Sequence, residues 1–196
     1  SRGLGYVYKR PSSEYPFATI QHAIDIAADS GDIIHVESGT YYEHINISNK
    51  SLSLIGNSPD STIIDGEYSI SGGGPVVTLY QSSNSLIEGA TIQNGNEGEE
   101  SVAGIYVSNW SNLILDNVIV RDNGSPEGNA SVGGILTYYS DIMVRNSLIT
   151  DNRGGYGGIK TTFGDMQIES STIVDNGDVS LHIDYGSKVN IINSII

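Results

Sequence analysis

The chain has no cysteine, so no disulfide framework holds it together. It is also poor in bases: 9 Lys and Arg stand against 23 Asp and Glu, for a formal net charge of −14. Binding a polyanion requires cationic side chains that displace its counterions. That shortage excludes nucleic acid as a partner and weighs against an acidic polysaccharide, unless a divalent cation bridges the two. No apolar run approaches the roughly 18 residues of a membrane-spanning helix, so no membrane insertion is expected. Helix formers are sparse outside residues 18–29. What the chain has in quantity is glycine, 24 residues, together with frequent Asn and Ser, the composition of many tight turns.

It also has a repeated phrase. Asp116-Asn117-Val118-Ile119-Val120-Arg121-Asp122-Asn123 returns as Arg145-Asn146-Ser147-Leu148-Ile149-Thr150-Asp151-Asn152, and again as Glu169-Ser170-Ser171-Thr172-Ile173-Val174-Asp175-Asn176. A fourth copy starts at Ile192-Asn193-Ser194-Ile195-Ile196. The steps between Asn117, Asn146, Ser170 and Asn193 are 29, 24 and 23 residues. Self-similarity at this period signals a solenoid in which each repeat is one coil stacked on its neighbours. Three strands recur per coil. The first reads Leu113-Ile114-Leu115, Ile142-Met143-Val144, Met166-Gln167-Ile168 and Val189-Asn190-Ile191, with apolar outer positions facing inward and the middle position facing out. The second carries Ile92, Val120, Ile149, Ile173 and Ile196. The third carries Ile105-Tyr106-Val107, Ile135-Leu136-Thr137, Ile159-Lys160-Thr161 and Leu181-His182-Ile183.

The expected fold is therefore all-β, a three-sheet parallel β-helix. Residues 1–15 read as an N-terminal arm and 16–196 as a single β-helix domain. Helical spacing of Ile20, Ala23, Ile24, Ala27 and Ala28 predicts a short capping α-helix over about 18–29, stopped by Ser30-Gly31-Asp32. A turn is expected at Ser38-Gly39. The chain starts at Ser1 without Met, as a processed or excised chain would, and it ends mid-coil at Ile195-Ile196. An uncapped coil predicts homo-oligomerisation or a further C-terminal part.

Tyr15-Pro16-Phe17-Ala18-Thr19-Ile20-Gln21-His22-Ala23-Ile24, Gly31-Asp32-Ile33-Ile34-His35-Val36 and Gly39-Thr40-Tyr41-Tyr42-Glu43 resemble the start of right-handed parallel β-helix proteins of the pectin-lyase-like superfamily. Ser61-Thr62-Ile63-Ile64-Asp65-Gly66 and the Asn-Ser coil phrases are similar to the same superfamily. The resemblance implies a right-handed helix and a saccharide groove along the first sheet. The 39–43 segment is similar to one in pectinesterases. Their paired aspartate motifs have no counterpart here, nor do the motifs of polygalacturonases and pectate lyases.

Stacking brings equivalent residues of adjacent coils within about 4.8 Å, so columns can carry chemistry. Asp122, Asp151 and Asp175 form one column. It reads either as a Ca²⁺ site or as a row of Asx-type turns. Asp116, Arg145 and Glu169 form a second, with Glu88 below. It reads as a catalytic acid, base and electrostatic stabiliser, or as a surface rung in which Arg145 relieves carboxylate repulsion. Tyr139, Phe163 and Tyr185 form an aromatic column near Trp110, either ligand-binding or packed; strand parity points these rings inward or into the turn. Asn117, Asn146, Ser170 and Asn193, and likewise Asn123, Asn152 and Asn176, read as asparagine ladders that satisfy buried turn polarity. Thr137 and Thr161 align in adjacent coils, but Val107 and Ile183 flank them and the coil lengths are irregular, which disfavours an ice-binding surface.

The functional expectation is a secreted or cell-surface β-helix that binds polysaccharide, with binding ranked ahead of cleavage. An enzyme on this scaffold would be a polysaccharide lyase or glycoside hydrolase. The alternative is a structural, adhesive or self-assembling surface module.

Overall fold

The computed structural model describes residues 7–8, 17–67, 73–96, 102–124 and 131–196. Most of the expected arm, and parts of the loops at 94–103 and 124–133, lie outside the described residues. Three sheets of eight, six and six strands run the length of the described chain. The first contains Ser30–Val36, Ser51–Gly56, Ser85–Glu88, Asn112–Asp116, Asp141–Arg145, Asp165–Glu169 and Lys188–Ile192, all parallel. Val7–Tyr8 joins its edge antiparallel to Ser30–Val36. Each coil then passes to a second-sheet strand such as Ile119–Arg121 and a third-sheet strand such as Ile135–Tyr138.

The inward columns are apolar, as the alternation requires. Leu113, Leu115, Val120, Ile135, Val144, Ile149, Ile159, Ile168 and Ile173 are all fully buried in one continuous core. Burying each such side chain contributes about 1.5–3 kcal/mol. Thr137 and Thr161 also face inward, where Thr137 Oγ1 donates to Thr161 Oγ1 at 2.8 Å. Gly39–Tyr42 and Ile45–Ser48 are strands. They complete the first coil, where the sequence suggested only a turn at Ser38-Gly39.

The cap helix is shorter than expected: Ile20–Ile26 rather than about 18–29. Thr19 caps its start by accepting from His22 N–H, and both carboxylate oxygens of Glu43 accept from Ile20 and Gln21 N–H at 2.9 Å. Lys50 Nζ donates to the carbonyls of Ile24, Asp25 and Ala27, and Ala28 N–H donates to Asp32. Lys50 and Asp32 take the polar groups of the last turn, so the backbone turns extended at Ala27. Ile20, Ala23 and Ile24 join the core. No helix among the described residues is long and apolar enough to cross a membrane.

Corners follow a common rule: a residue with positive φ, then a small polar residue whose oxygen accepts a backbone N–H from the coil before. At the first corner the positive-φ residues are Asn117, Asn146, Ser170 and Asn193, all exposed. The expected buried amide stack is therefore absent from that column. The acceptors sit one residue later, buried at Ser147 and Ser171 and partly exposed at Ser194: Ser147 accepts from Val118 N–H, Ser171 from Ser147 N–H and Ser194 from Ser171 N–H. At the second corner Asn123, Asn152 and Asn176 are buried, and each amide Nδ2 of Asn123 and Asn152 donates to the next Oδ1 at 2.9 Å. At the third corner Ser111 Oγ accepts from Ser82 N–H and Ser140 Oγ from Ser111 N–H in the same way.

Replacing Asn152 by Ala removes the acceptor of Asn123 N–H and a donor to Val120 O. Leaving such buried groups unmet is expected to cost about 2–4 kcal/mol in urea denaturation. Ser85 lies inward between Leu52 and Leu113, and its hydroxyl has no partner. Ser85→Ala is expected to leave stability unchanged or raise it by up to about 1 kcal/mol in the same measurement.

Candidate functional site

The outer face of the first sheet carries a shallow groove of about 410 Å³. Its floor is the middle column, Ile114, Met143, Gln167 and Asn190, which strand parity turns away from the core. One edge is the column that opens each strand: Asn112, Asp141, Asp165 and Lys188. Asp165 N–H donates to Asp141 Oδ1 at 2.8 Å, which fixes that edge. Neither edge nor floor was singled out in the sequence, although the period-two pattern that identified the core also marks the residues between.

The expected catalytic column stands on the same face, at the strand ends. Asp116, Arg145 and Glu169 are in register on successive strands. They lie about 13 Å from the Asn112 edge at some 3.3 Å per residue. Arg145 Nε donates to Asp116 Oδ2 at 2.9 Å, and Asn146 Nδ2 donates to Asp116 Oδ1 at 2.8 Å. Glu169 accepts from Gln167 of its own strand. Asp116 and Glu169 are two strand spacings apart, about 10 Å between backbones. Arg145 stands on the strand between them. The geometry is a surface ion pair beside a glutamate held by its neighbour.

Asp122, Asp151 and Asp175 occupy the positive-φ position of the second corner, with φ of 53, 57 and 55°. Asp122 lies 3.7 Å from Arg121 Nε, Asp151 accepts from Thr150 Oγ1, and Asp175 is exposed. The described residues contain no group of three or more His, Cys, Asp or Glu that could hold a metal ion. The structure does not gather these aspartates into the Ca²⁺ site considered above. They bend the chain before the buried asparagines.

Tyr139, Phe163 and Tyr185 also sit at a corner, the one that leads into the groove edge. They neither point inward nor continue the strand parity, because each has positive φ: 48, 56 and 35°. In the coils below, Gln81 and Asn109 hold this position. Polar residues that tolerate the left-handed region thus give way to bulky rings that do not. The rings are drawn into a stack. Tyr139 and Phe163 lie 4.5 Å apart and 9° from parallel, and Phe163 and Tyr185 lie 5.5 Å apart at 19°. Each such pair contributes about 0.5–1.5 kcal/mol, which offsets much of the roughly 1–3 kcal/mol that a strained backbone position costs. Gly164 allows this approach: a Cβ there would lie 1.9 Å from Ser140 O. Because the faces cover one another, the stack offers mainly ring edges to solvent. Trp110 ends the row tilted by 45° against Tyr139, 5.7 Å away.

His182 lies in the outward column of the third sheet with Lys160, 3.8 Å from Asp184 and against Tyr156. It is remote from the groove in register and is a surface residue.

The Asp116–Arg145 pair is part-exposed, with side chains 18% and 41% accessible. A double-mutant cycle with Asp116→Ala and Arg145→Ala is expected to give a coupling of about 0.5–1 kcal/mol that weakens as salt rises.

Sequence comparison places these features in a wider group. The family described as right handed beta helix region matches residues 44–196. Probable pectinesterase/pectinesterase inhibitor 17 of Arabidopsis thaliana is 35% identical over 97 residues, covering 44% of this chain and 18% of that protein. Pectinesterase 2 of Citrus sinensis is 32% identical over 117 residues, covering 58% of this chain and 18% of that protein. The chain thus spans less than a fifth of these curated relatives. Pectin methylesterase from carrot superposes with a TM-score of 0.49 at 14% identity, covering 87% of this chain and 78% of that one. With more than half of its length matched by the family, and three parallel sheets wound as that family requires, the chain belongs to the right-handed β-helix proteins.

Proposed function

We propose that this protein binds polysaccharide along the outer face of the first sheet, without cleaving it, at the cell surface or outside the cell. The observation that carries the reading is the groove itself. An open trough of about 410 Å³ runs across successive coils with an apolar-to-polar floor, a carboxylate edge and an aromatic corner beside it. A polymer lying along the helix axis meets a repeating wall, because the coils recur about every 4.8 Å. Floor and edge amides and carboxylates suit sugar hydroxyls, and Ile114 and Met143 suit the apolar faces of pyranose rings.

The partial likeness to pectinesterases supports a pectin-related glycan as the ligand class. Electrostatics refines it. Asp141, Asp165, Asp116 and Glu169 flank the face, opposed by Lys188 and by an Arg145 already paired. A neutral or esterified chain is compatible with that field, and a fully ionised polyuronate is repelled. Binding is ranked ahead of cleavage because the paired aspartate motifs of pectinesterases and the motifs of polygalacturonases and pectate lyases have no counterpart in the sequence.

Affinity electrophoresis through gels of highly methyl-esterified pectin, polygalacturonate and hydroxyethylcellulose tests the reading. Retention is expected on the esterified or neutral polymers, without release of reducing ends. Met143→Arg places a bulky charge on the floor and is expected to weaken retention at least tenfold with the melting temperature little changed. Loss of retention on every polymer for the unmodified protein leaves the structural-module reading in its place.

A further inference from the structure

The Trp110 backbone is held by the next coil, its N–H donating to Tyr139 O at 2.7 Å, while its ring is displayed rather than packed. Trp110 is the single tryptophan of the chain and is 77% exposed, more than any other large apolar side chain described. It is also an inserted residue relative to the coil above, although the corner below, between Tyr80 and Asn84, likewise holds three residues. Between Ser108 and Asn112 the corner holds three residues. Between their register partners Tyr138 and Asp141 it holds two. Asn109 N–H bonds to Tyr138 O, and Ser111 N–H to Ser140 Oγ, so Asn109 and Ser111 match the neighbouring turn, and Trp110 is the extra residue. Its φ is 64°. The corner at 185–187 is likewise expanded, and there the equivalent residue is Gly186, with φ of 71°. Glycine adopts this conformation freely, and a bulky side chain does not.

Two costs therefore coincide at one residue: an unfavourable backbone and a large apolar ring in water. The stack does not require the ring, since Tyr139, Phe163 and Tyr185 stack on one another and Trp110 meets them only at a tilt. Asn112, two residues on, is part of the groove edge. Strain of this kind persists where a site needs the side chain it displays.

We infer that Trp110 is the anchor of the first-sheet site, stacking its indole on the apolar face of a pyranose ring in the bound polysaccharide. This rests on the polysaccharide reading above. Sugar C–H groups carry partial positive charge and the indole face partial negative charge, so the contact combines burial with a favourable electrostatic term. Trp110 thereby sets where along the axis the polymer is held, while the groove floor accepts its length.

The test uses the full chain, its Trp110→Gly and Trp110→Phe variants, and the three polymers named above. Excited at the red edge, where the 12 tyrosines do not absorb, intrinsic fluorescence reports the single tryptophan, Trp110. Adding the retained polymer is expected to shift or quench that emission in step with retention. Trp110→Gly is expected to lose retention at least tenfold while its melting temperature stays the same or rises, and Trp110→Phe is expected to keep part of the affinity. Retention by Trp110→Gly equal to the unmodified protein overturns the anchor and leaves the polysaccharide reading intact. A clear fall in melting temperature for Trp110→Gly also overturns it, because the ring is then a structural element; that measurement needs no ligand. Absence of retention on any polymer by the unmodified protein removes both.

Discussion

The structure depends on meeting the backbone polar groups at its corners. A parallel stack can bond strand to strand without difficulty, but each coil must bend three times, and each bend leaves an N–H pointing at the coil next to it. Burial makes such a group costly unless it finds an acceptor. Here the acceptors are the hydroxyls of Ser147, Ser171 and Ser194 at one corner, the amides of Asn123, Asn152 and Asn176 at another, and the hydroxyls of Ser111, Ser140 and Ser187 at the third. Each serine hydroxyl at the first corner also donates to the carbonyl two residues before it. These columns hold the coils in register, and register is what turns residues two dozen positions apart into neighbours.

That constraint explains why charged and aromatic residues collect where they do. The residue before each buried acceptor must adopt positive φ and point outward, so corners are rows of forced exposure. At the first and second corners Asn and Asp fill the rows at little backbone cost. The carboxylates of Asp122, Asp151 and Asp175 are thus a consequence of turn geometry before they are a candidate for anything else. At the third corner the row changes from Gln81 and Asn109 to Tyr139, Phe163 and Tyr185. Nothing about bending requires aromatic rings there. The local backbone preference and the observed residues disagree, and mutual ring stacking is what offsets the cost.

The coil columns could be read from the sequence because in-register stacking makes every coil repeat the same inward pattern: Leu113, Ile142 and Met166 announce one another. What failed lay at the corners, where parity breaks. Asn146 and Ser147 are both small and polar, and periodicity does not say which faces in; the left-handed preference of Asn decides it, and Asn146 faces out. Strand parity through Tyr138 left Tyr139 inward or in the turn; it stands in the turn, and its φ of 48° turns the side chain away from the core. The helix ended early for a tertiary reason: Lys50 reaches back to its carbonyls from the turn between Ile45–Ser48 and Ser51–Gly56. The extra residue at Trp110 was present in the sequence. It becomes visible only once Ser108 and Tyr138 are known to be partners.

The first-sheet face also has a direction. Along the axis its middle column runs Leu86, Ile114, Met143, Gln167, Asn190, from apolar to amide. Its edge runs Asn112, Asp141, Asp165, Lys188, so negative charge is followed by positive. A surface in perfect repeat would hold a polymer equally well at any offset and in either sense. One that grades in polarity and charge does not, because reversing the polymer exchanges its contacts with carbons for contacts with amides. The irregularity of these columns, which weakens the repeat as a sequence signal, is what gives the face a chemical orientation.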